Sequence, residues 1–239
     1  MNNLVSRRTI APGAIYCVGK NYTQHIRELR LLEGLAADSA SENDPEPVIF
    51  MKPPTALETE GVISMPLYEG RPLSLLMHYE VELVLLVGKS CDGCSIEEAP
   101  DYIGGYGAGL DMTLRDVQLA AKKAGNPWLK SKGFRKSALI SDFIPFNESV
   151  FPQDLEISLE LNDSRVQHAS VSEMLHTPAM LIHYLSYLYG LRSGDLIFTG
   201  TPSGVGSVAS GDRLKAELSR PGSTAQGRRT LTGFQAHVV

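Results

Sequence analysis

The stretch that decides the fold is HYEVELVLLV, residues 78–87. Its β-branched and leucine-rich second half predicts a buried strand, which Gly88 ends. Side chains alternate between the two faces of a strand, so Glu80 and Glu82 share one face with His78. On a helix the two glutamates would point about 200° apart and could not bind a common ligand.

A buried pair of carboxylates needs a cation, because the two like charges repel each other and lose hydration. The pair alone fits equally well an exposed strand face on which both glutamates are hydrated. A third acid, Asp111, favours a metal site. It ends a glycine-dense segment that begins at residue 104 and permits close backbone approach, and it precedes a helix that we expect Thr113 to cap.

Glu80, Glu82 and Asp111 form a set of hard oxygen donors with no accompanying cysteine. Such a set favours Mg²⁺ or Mn²⁺ over Zn²⁺, and it leaves about three positions of an octahedral ion for water or a chelating substrate. Three carboxylates and one divalent ion still carry a net negative charge. An anionic substrate therefore requires further positive groups nearby.

The candidates for those positive groups are Arg115 and Lys132. Arg115 lies on the predicted helix after the third acid, and Gln118 lies three residues on, on the same helix face. We expect Leu114, Val117 and Ala121 to cover the opposite, core-facing side of this helix. A solvated helix charge is the alternative interpretation of Arg115.

Strand and helix signals in the rest of the chain show no regular βα alternation. Many strands with a few interspersed helices predict an α+β fold with a large mixed sheet. We expect Asn21 or Thr23 to cap the first helix. The predicted strands are 48–51, 79–87, 157–161, 196–198, 214–218 and 230–239, with a hairpin turn at 162–163, and the predicted helices are 21–35, 114–123 and 178–189.

The size of the chain suits one domain. Of its 239 residues 43% are hydrophobic and 21% are charged, which predicts a single catalytic domain over residues 1–239. Residues 33–47 are poor in large apolar side chains and predict a mobile loop. Together with the helix before it, this loop would form an N-terminal lid, residues 21–47.

Composition also argues against several classes of partner. The net charge of −5 gives no basic face for nucleic acid. Residues 1–10 lack the apolar part of a secretory signal, and the longest apolar run is too short to span a bilayer, so we expect a soluble, cytoplasmic protein with no membrane partner. We expect Cys91 and Cys94 to be surface-loop residues, because no second pair completes a zinc site and no helix follows as in thioredoxin.

Five segments follow one another from about residue 15 to the end of the chain: VGKNYTQHIRE (18–28), HYEVE (78–82), GAGLDMTLRDVQ (107–118), KGF (132–134) and GDLIFTGTPSGVG (194–206). Together they resemble the fumarylacetoacetate hydrolase family, especially its short bacterial members related to acylpyruvases and oxaloacetate-acting enzymes. The resemblance implies a mixed β-sheet roll or sandwich of the family's C-terminal-domain type, with a few helices and an N-terminal lid.

The resemblance also implies roles for single residues. Glu80, Glu82 and Asp111 match the metal ligands of the family. His25 and Glu28 match an H-x-x-E pair on the lid helix, in which the carboxylate orients the imidazole as a water-activating base. Independently of the family, their spacing places both residues on one helix face.

A second group of matches concerns the substrate. Lys132 matches the lysine that stabilises a developing enolate. Lys20, Arg115, Gln118 and Thr201 match positions that hold substrate oxygens. Lys20 stands where many relatives carry arginine, so a point charge replaces a bidentate group, and this departure bears on substrate identity more than on the metal.

The function that the resemblance implies is a Mg²⁺-dependent enzyme, with Mn²⁺ or Ca²⁺ as alternative ions, acting on a small anionic 2-oxo or 2,4-dioxo acid through a metal-stabilised enolate. The first expectation is C–C bond hydrolysis of an acylpyruvate-type substrate. The same site would serve an oxaloacetate decarboxylase or an oxaloacetate keto–enol tautomerase.

Two functions of other classes are weighed against this one. A catalytically inactive metal-binding protein of the same fold is the first, and the retained His25, Glu28 and Lys132 argue against it. A nucleotide-binding module is disfavoured, because residues 104–109 lack the strand–GxGxxG–helix context. The family resemblance further implies a homodimer.

Overall fold

The secondary structure comes from a computed structural model, which describes residues 4–34, 46–147, 152–222 and 228–239. Within them the α-helices are α1 (Thr23–Leu32), α2 (Arg115–Ala124), α3 (Leu129–Lys132) and α4 (Pro178–Tyr189). Short 3₁₀ turns lie at Arg7–Thr9, Pro54–Ala56, Ala99–Tyr102, Pro152–Asp154 and Val171–Glu173. The strands are β1 (Ile15–Gly19), β2 (Val48–Lys52), β3 (Leu57–Glu58), β4 (Val62–Ile63), β5 (Leu67–Tyr68), β6 (Arg71–Pro72), β7 (Met77–Tyr79), β8 (Val81–Val87), β9 (Ile103–Asp111), β10 (Thr113–Leu114), β11 (Ala138–Ile140), β12 (Ile144–Pro145), β13 (Glu156–Leu161), β14 (Ser164–Ser170), β15 (Leu196–Phe198), β16 (Gly206–Ser207), β17 (Arg213–Arg220) and β18 (Arg229–Val238).

The largest sheet has eight strands in the order β2-β1-β15-β8-β9-β11-β3, with β12 paired to β9. β1 pairs with β15 and β3 with β11 in parallel, whereas β8 is antiparallel to both of its neighbours. All seven residues of β8 are buried, which explains its continuous apolar sequence. The predicted α+β fold with a large mixed sheet is confirmed.

Three neighbouring strands of this sheet continue into a small one. β15, β8 and β9 lie side by side in the large sheet, and β16, β7 and β10 form a second sheet in the order β10-β7-β16. The strand predicted at 79–87 is therefore interrupted at Glu80, between β7 and β8, and β9 gives way to β10 just after Asp111. At the corner between the two sheets, backbone and side-chain groups of three adjacent strands therefore face the same space.

The glycine-dense segment forms the central strand β9, and its glycines allow neighbouring strands to pack closely. A Cβ atom on Gly109 would lie 2.5 Å from Val84 Cγ2 and 2.9 Å from the carbonyl oxygen of Leu139. Such distances are shorter than van der Waals contact, and a backbone oxygen cannot move aside. The predicted close backbone approach is confirmed.

A five-stranded sheet in the order β14-β13-β17-β18-β4 packs beside the large one. β13 and β14 form the predicted hairpin, whose turn residues Asn162 and Asp163 have φ values of 48° and 66°. Positive φ at both positions is typical of a type I′ turn. β17 and β18 pair antiparallel along most of their length, so the predicted closing pair is also confirmed.

The helix limits agree with prediction better than their caps do. α4 has the predicted bounds, and Thr177 caps it by accepting a hydrogen bond from the Met180 amide. The expectation that Thr113 caps α2 is wrong: Thr113 belongs to β10, and Leu114 precedes the helix. The hydroxyl of Thr113 instead donates to the carbonyl oxygen of Asp111. Because Thr113 is paired within β10 at the sheet corner, it does not act as the helix cap that its residue type favours.

The cap expected for α1 is also different. The helix begins after Tyr22, and no side chain caps it. Asn21 is fully buried and donates from its amide to the carbonyl oxygens of Thr199 (2.8 Å) and His176 (3.0 Å). It therefore connects the start of α1 to the segment that follows β15.

Most of the expected mobile loop, residues 35–45, lies outside the described residues.

Cys91 and Cys94 are not surface residues, so that expectation is wrong. They are 4% and 3% exposed, and both carry free thiols. Cys91 pairs with Leu191 in an isolated bridge, and the sulfur of Cys94 lies 3.7 Å from Ser186 Oγ on α4.

In the part of the chain that the structure describes, no helix has the length and apolar character needed to cross a membrane.

Candidate metal centre and active site

Three carboxylates meet at the corner between the two sheets. Glu80 lies in the break between β7 and β8, Glu82 lies on β8, and Asp111 ends β9. The amide of Asp111 donates to the carbonyl oxygen of Glu80, which brings the two strand breaks together. One carboxylate oxygen from each residue lies within 4.8 Å of the others. The structure therefore unites the three acids that the sequence singled out.

Burial makes it unfavourable for all three carboxylates of this cluster to be charged. Glu80, Glu82 and Asp111 are 4%, 1% and 0% exposed. Burial, reinforced by the charges of Asp111 and Glu80, raises the pKa of Glu82 well above its ordinary value. Its carboxylate accepts the Gly200 amide hydrogen at 2.7 Å, which offsets part of that penalty.

Glu80 is stabilised differently. Burial alone would raise its pKa, but the charges of Lys132 and Arg115 outweigh burial and hold the pKa well below the ordinary range. Lys132 Nζ lies 2.5 Å from one oxygen of Glu80, and the guanidinium of Arg115 pairs with the other. Glu80 is therefore ionised.

Lys132 also pairs with Asp111 at 2.7 Å, so its ammonium bridges two of the three acids. Burial disfavours the charged lysine, but Asp111 and Glu80 more than offset burial and raise the pKa of Lys132. α3, which carries it, was not among the predicted helices. The short helix aims the ammonium into the corner.

Lys52 completes the cluster and was not found by sequence reasoning. It ends β2, is 1% exposed, and lies 2.7 Å from Asp111 Oδ1 and 3.0 Å from Ser137 Oγ. It also donates to the carbonyl oxygen of Lys132. The available signal was a lysine directly after the apolar run at 48–51, where a buried strand leaves it little room to reach solvent.

The donor set fits a divalent metal ion. Three buried carboxylates within 4.8 Å of one another offer hard oxygen ligands, and Glu82 is the acid whose negative charge is least compensated by nearby cations. Arg115 pairs with Glu80, whereas Lys132 bridges Glu80 and Asp111. A metal ion and the Lys132 ammonium would therefore compete for the same two carboxylates.

The expected core-facing side of α2 does meet the core, since Leu114 is 0% exposed and Val117 packs against the core cluster, but the polar side is buried as well. Arg115 and Gln118 are 2% and 4% exposed and are the buried residues of this helix, whereas Val117 and Ala121 are only partly buried. Arg115 donates from Nη1 to Gln118 Oε1 at 2.5 Å and from Nε to His78 Nδ1 at 3.3 Å. The polar face of the helix thus points into the molecule and toward the acids.

His25 and Glu28 occupy α1 at the edge of the same space. His25 Nδ1 lies 3.0 Å from Glu28 Oε2, and His25 is 4% exposed. Glu28 Oε1 accepts the Gly204 amide hydrogen at 3.0 Å, so the pair is also fixed to the loop that follows β15. With Nδ1 engaged, the imidazole presents Nε2 as its other nitrogen.

An open cleft with a cavity volume of ≈ 30 Å³ lies beside Glu80 and Glu82. Lys20 is exposed at this cavity and has a positive φ of 61°. Thr201 is 3% exposed there and accepts a hydrogen bond from Gln167 at 2.9 Å. The predicted residues on its wall are Lys20, His25, Glu80, Glu82, Arg115, Gln118, Lys132 and Thr201.

These features define a class: an enzyme with a buried oxygen-ligand metal centre, flanked by cations and a histidine–glutamate pair, that acts on a small anion. The family model described as Fumarylacetoacetate (FAA) hydrolase C-terminal matches residues 14–232, and the chain belongs to this family.

Curated relatives of similar length support this assignment. The chain is 40% identical over 202 residues to the oxaloacetate tautomerase YcgM of Escherichia coli (strain K12), covering 84% of this chain and 85% of that protein. It is 40% identical over 205 residues to the mitochondrial oxaloacetate tautomerase FAHD1 of Homo sapiens, covering 85% and 86%.

A solved structure shows the same fold. The fumarylpyruvate hydrolase of Pseudomonas aeruginosa, in complex with Mn²⁺ and pyruvate, is 31% identical, with a TM-score of 0.79 and coverage of 98% of this chain and 92% of that one. The predicted family and its sheet fold are therefore confirmed. The chain is a divalent-metal-dependent enzyme of a family that contains hydrolases, isomerases and tautomerases.

Proposed function

We propose that the chain is a Mg²⁺-dependent oxaloacetate keto–enol tautomerase. The observation that carries this proposal is the charge balance of the buried cluster. Its three acids are matched by three cations, Lys52, Lys132 and Arg115, all of them 3% exposed or less. A divalent ion adds two positive charges, and a dianionic 2-oxo acid such as oxaloacetate restores neutrality. Buried charges are stable when they are balanced in this way.

In this proposal Glu80, Glu82 and Asp111 hold the ion, with Mn²⁺ or Ca²⁺ as alternatives to Mg²⁺. The ion supplies a Lewis acid that stabilises negative charge on an adjacent oxygen. The Arg115 guanidinium binds a substrate carboxylate, and Gln118 fixes the guanidinium by accepting its second N–H. Lys20 adds a positive charge at the cavity mouth, where an anion enters.

Tautomerisation breaks a C–H bond at C3 of the substrate and places a proton on the C2 oxygen. His25 takes the C3 proton through Nε2, because Nδ1 is held by Glu28. Lys132 keeps an N–H directed at the developing enolate oxygen, and Thr201 donates its hydroxyl hydrogen to a substrate oxygen. The proton placed on the C2 oxygen comes from the Lys132 ammonium, and exchange with solvent water then removes the proton from His25 and restores the one on Lys132. The same movements in reverse return the keto form, so no other reactant is needed.

The decisive experiment follows enol-oxaloacetate by ultraviolet absorbance with Mg²⁺, with Mn²⁺ and after EDTA. We expect rapid decay of the enol signal with either ion and a loss of acceleration after chelation. Glu82→Gln keeps the side-chain volume and its acceptor for Gly200, but removes a charged ligand, so it should behave like the chelated enzyme. Equal rates with and without metal would refute the proposal.

Hydrolysis of an acylpyruvate-type substrate is a second candidate, and the His25–Glu28 pair favours it. The same pair can direct a water molecule at a distal carbonyl, and Lys132 would then stabilise the leaving enolate. The similar fumarylpyruvate hydrolase adds support. Acetylpyruvate hydrolysis, measured beside oxaloacetate tautomerisation on one preparation, ranks the two reactions, and decarboxylation is read from released CO₂.

We further propose that residues 1–239 act as a single catalytic domain, with 21–47 as its lid, and that the enzyme works as a cytoplasmic homodimer without nucleic-acid or membrane partners. The match of the family model over residues 14–232 supports one domain. Light scattering of the purified chain tests the dimer, since a monomer mass at micromolar concentration would contradict it.

A further inference from the structure

Gln167 reaches the active site from a different sheet. It lies on β14, which belongs to the five-stranded sheet, yet it is 2% exposed and its amide ends among residues of the sheet corner. The β13–β14 ladder shifts register beside it: Gln167 pairs with Leu159, and Arg165 pairs with Glu160, which leaves Val166 as an extra residue. Such a bulge redirects neighbouring side chains and is common beside active sites.

The amide of Gln167 makes three hydrogen bonds, and together they fix its orientation. Its oxygen accepts the Val81 amide hydrogen at 2.9 Å, while its nitrogen donates to Thr201 Oγ1 at 2.9 Å and to the Pro202 carbonyl oxygen at 3.0 Å. A backbone N–H can only donate and a carbonyl oxygen can only accept. The amide therefore cannot be flipped without losing both of these bonds.

This orientation has a consequence for Thr201. Its hydroxyl accepts from Gln167, so the hydroxyl hydrogen must point elsewhere. Thr201 is 3% exposed and lies on the wall of the cavity that Glu80, Glu82 and Lys132 share. The open side of the hydroxyl is therefore the side that faces a bound ligand.

We propose that Gln167 is a positioning residue that makes the Thr201 hydroxyl a hydrogen-bond donor to substrate oxygen. It acts from outside the cavity wall and touches the substrate only through Thr201. This inference rests on the proposed function, in which Thr201 contacts a 2-oxo acid. The bond to Val81, which lies between Glu80 and Glu82, places the same amide beside the metal ligands and keeps the two parts of the site in register.

Gln167→Glu tests the polarity of this hydrogen bond with little change of shape. A carboxylate still accepts from Val81, but it cannot donate to both Thr201 and Pro202 in either protonation state. The Thr201 hydroxyl then turns to donate toward residue 167 and is lost to the ligand. Thr201→Val removes the hydroxyl outright and serves as the matched reference.

The readout is calorimetric titration of Mn²⁺-loaded protein with oxalate, a planar chelating dianion that resembles a 2-oxo acid enolate and requires no turnover. Each single variant should weaken oxalate binding about tenfold, as expected for one hydrogen bond to a charged oxygen. The double variant should be no weaker than either single one, because both changes remove the same donor. Mn²⁺ affinity should be unchanged in each of the three variants.

Additive losses in the double variant, unchanged oxalate binding in Gln167→Glu, or a loss of Mn²⁺ affinity in that variant would each overturn the inference. If Gln167→Glu does not fold, Gln167→Met removes the same donor without adding a charge, and the identical cycle applies. Oxalate binding without turnover of oxaloacetate or acetylpyruvate would refute the proposed function alone. Failure of the wild-type chain to bind oxalate would refute both.

Discussion

The Nζ atom of Lys132 lies 2.7 Å from Asp111 Oδ2, and it lies 2.5 Å from Glu80 in the same cluster. One ammonium thus bridges two of the three acids that would hold a metal ion. The lysine is close enough to compensate their charge without an ion and to stabilise an enolate beside one. As a cation beside the acids, Lys132 would weaken metal binding, whereas in its proposed role beside an enolate it would accelerate the reaction.

Lys132→Met should affect metal binding and catalysis in opposite directions. Removal of the ammonium leaves the charges of Glu80 and Asp111 less compensated, so Mn²⁺ should bind about tenfold more tightly. The tautomerisation rate constant, kcat, should fall about 10²- to 10³-fold, because a donor aimed at the developing enolate oxygen is lost. Calorimetry and enol decay measure the two effects.

The matched control for this experiment is Lys130→Met on the same short helix. Lys130 is exposed, so neither metal affinity nor kcat should change. If Lys132→Met weakened Mn²⁺ binding, the lysine would be supporting the metal centre and not competing with the ion.

Lys52→Met should destabilise the fold. The side chain is buried beside Asp111, and its removal leaves that carboxylate paired with Lys132 alone, so we expect a loss below the roughly 3–5 kcal/mol that a fully unpaired buried charge costs. Urea unfolding of the metal-free protein measures this loss. Lys136→Met is the control, because the Lys136–Glu58 pair has a lysine side chain that is 41% exposed and should contribute less than about 1 kcal/mol. Equal losses in the two variants would contradict the assigned role of Lys52.

His25→Ala should reduce acetylpyruvate hydrolysis more than oxaloacetate tautomerisation. Attack of neutral water on a carbonyl needs a positioned base, whereas C3 of oxaloacetate lies between two carbonyl groups and loses its proton more readily. His237→Ala is the control, since His237 is an exposed residue of β18. Equal loss of both reactions would contradict this expectation and show that removal of the C3 proton depends on His25 as strongly as activation of water does.

His78 should make stability depend on pH. Burial, assisted by the nearby Arg115 charge, lowers the pKa of His78 from 6.5 to about 4. As pH falls below 6.5 the unfolded chain takes up this proton first, so the free energy of unfolding decreases until about pH 4. Above pH 6.5 this contribution is fully present.

The comparison of denaturant unfolding for the wild type and His78→Gln between pH 4 and pH 7 isolates this effect. The variant should show a flatter dependence over that interval. An unchanged slope in His78→Gln would mean that the histidine is protonated in the folded protein.

Local sequence signals predicted the parts of the fold that local interactions determine. The apolar run ending at Val87, the Asn162–Asp163 turn and α4 have strong periodicity or turn chemistry, and the structure contains all three. The convergence of Glu80 and Glu82 followed from strand geometry alone. Asp111 joins them because β9 is the hydrogen-bonded neighbour of β8, a pairing that no local signal in the sequence predicted.

The residues that sequence reasoning missed act over long separations. Lys52 meets Asp111 and Ser137, and Gln167 meets Val81 and Thr201. Neither lies in a motif, because its partners come from other strands. The same reason explains the buried Cys94, which packs against α4, and Asn21, which joins two distant segments and does not cap a helix.

Gly204 is enclosed on two sides. A Cβ atom there would lie 2.2 Å from the carbonyl oxygen of Val166, its φ is +96°, and its N–H holds Glu28. The His25–Glu28 pair on α1 and the loop bearing Thr201 are consequently joined at Gly204, where the backbone leaves no room for a side chain. Any larger residue at 204 would push the loop outward and release His25 from its orientation. A substitution that does not contact the substrate would therefore impair both the proposed acid–base step and the proposed substrate contact of Thr201.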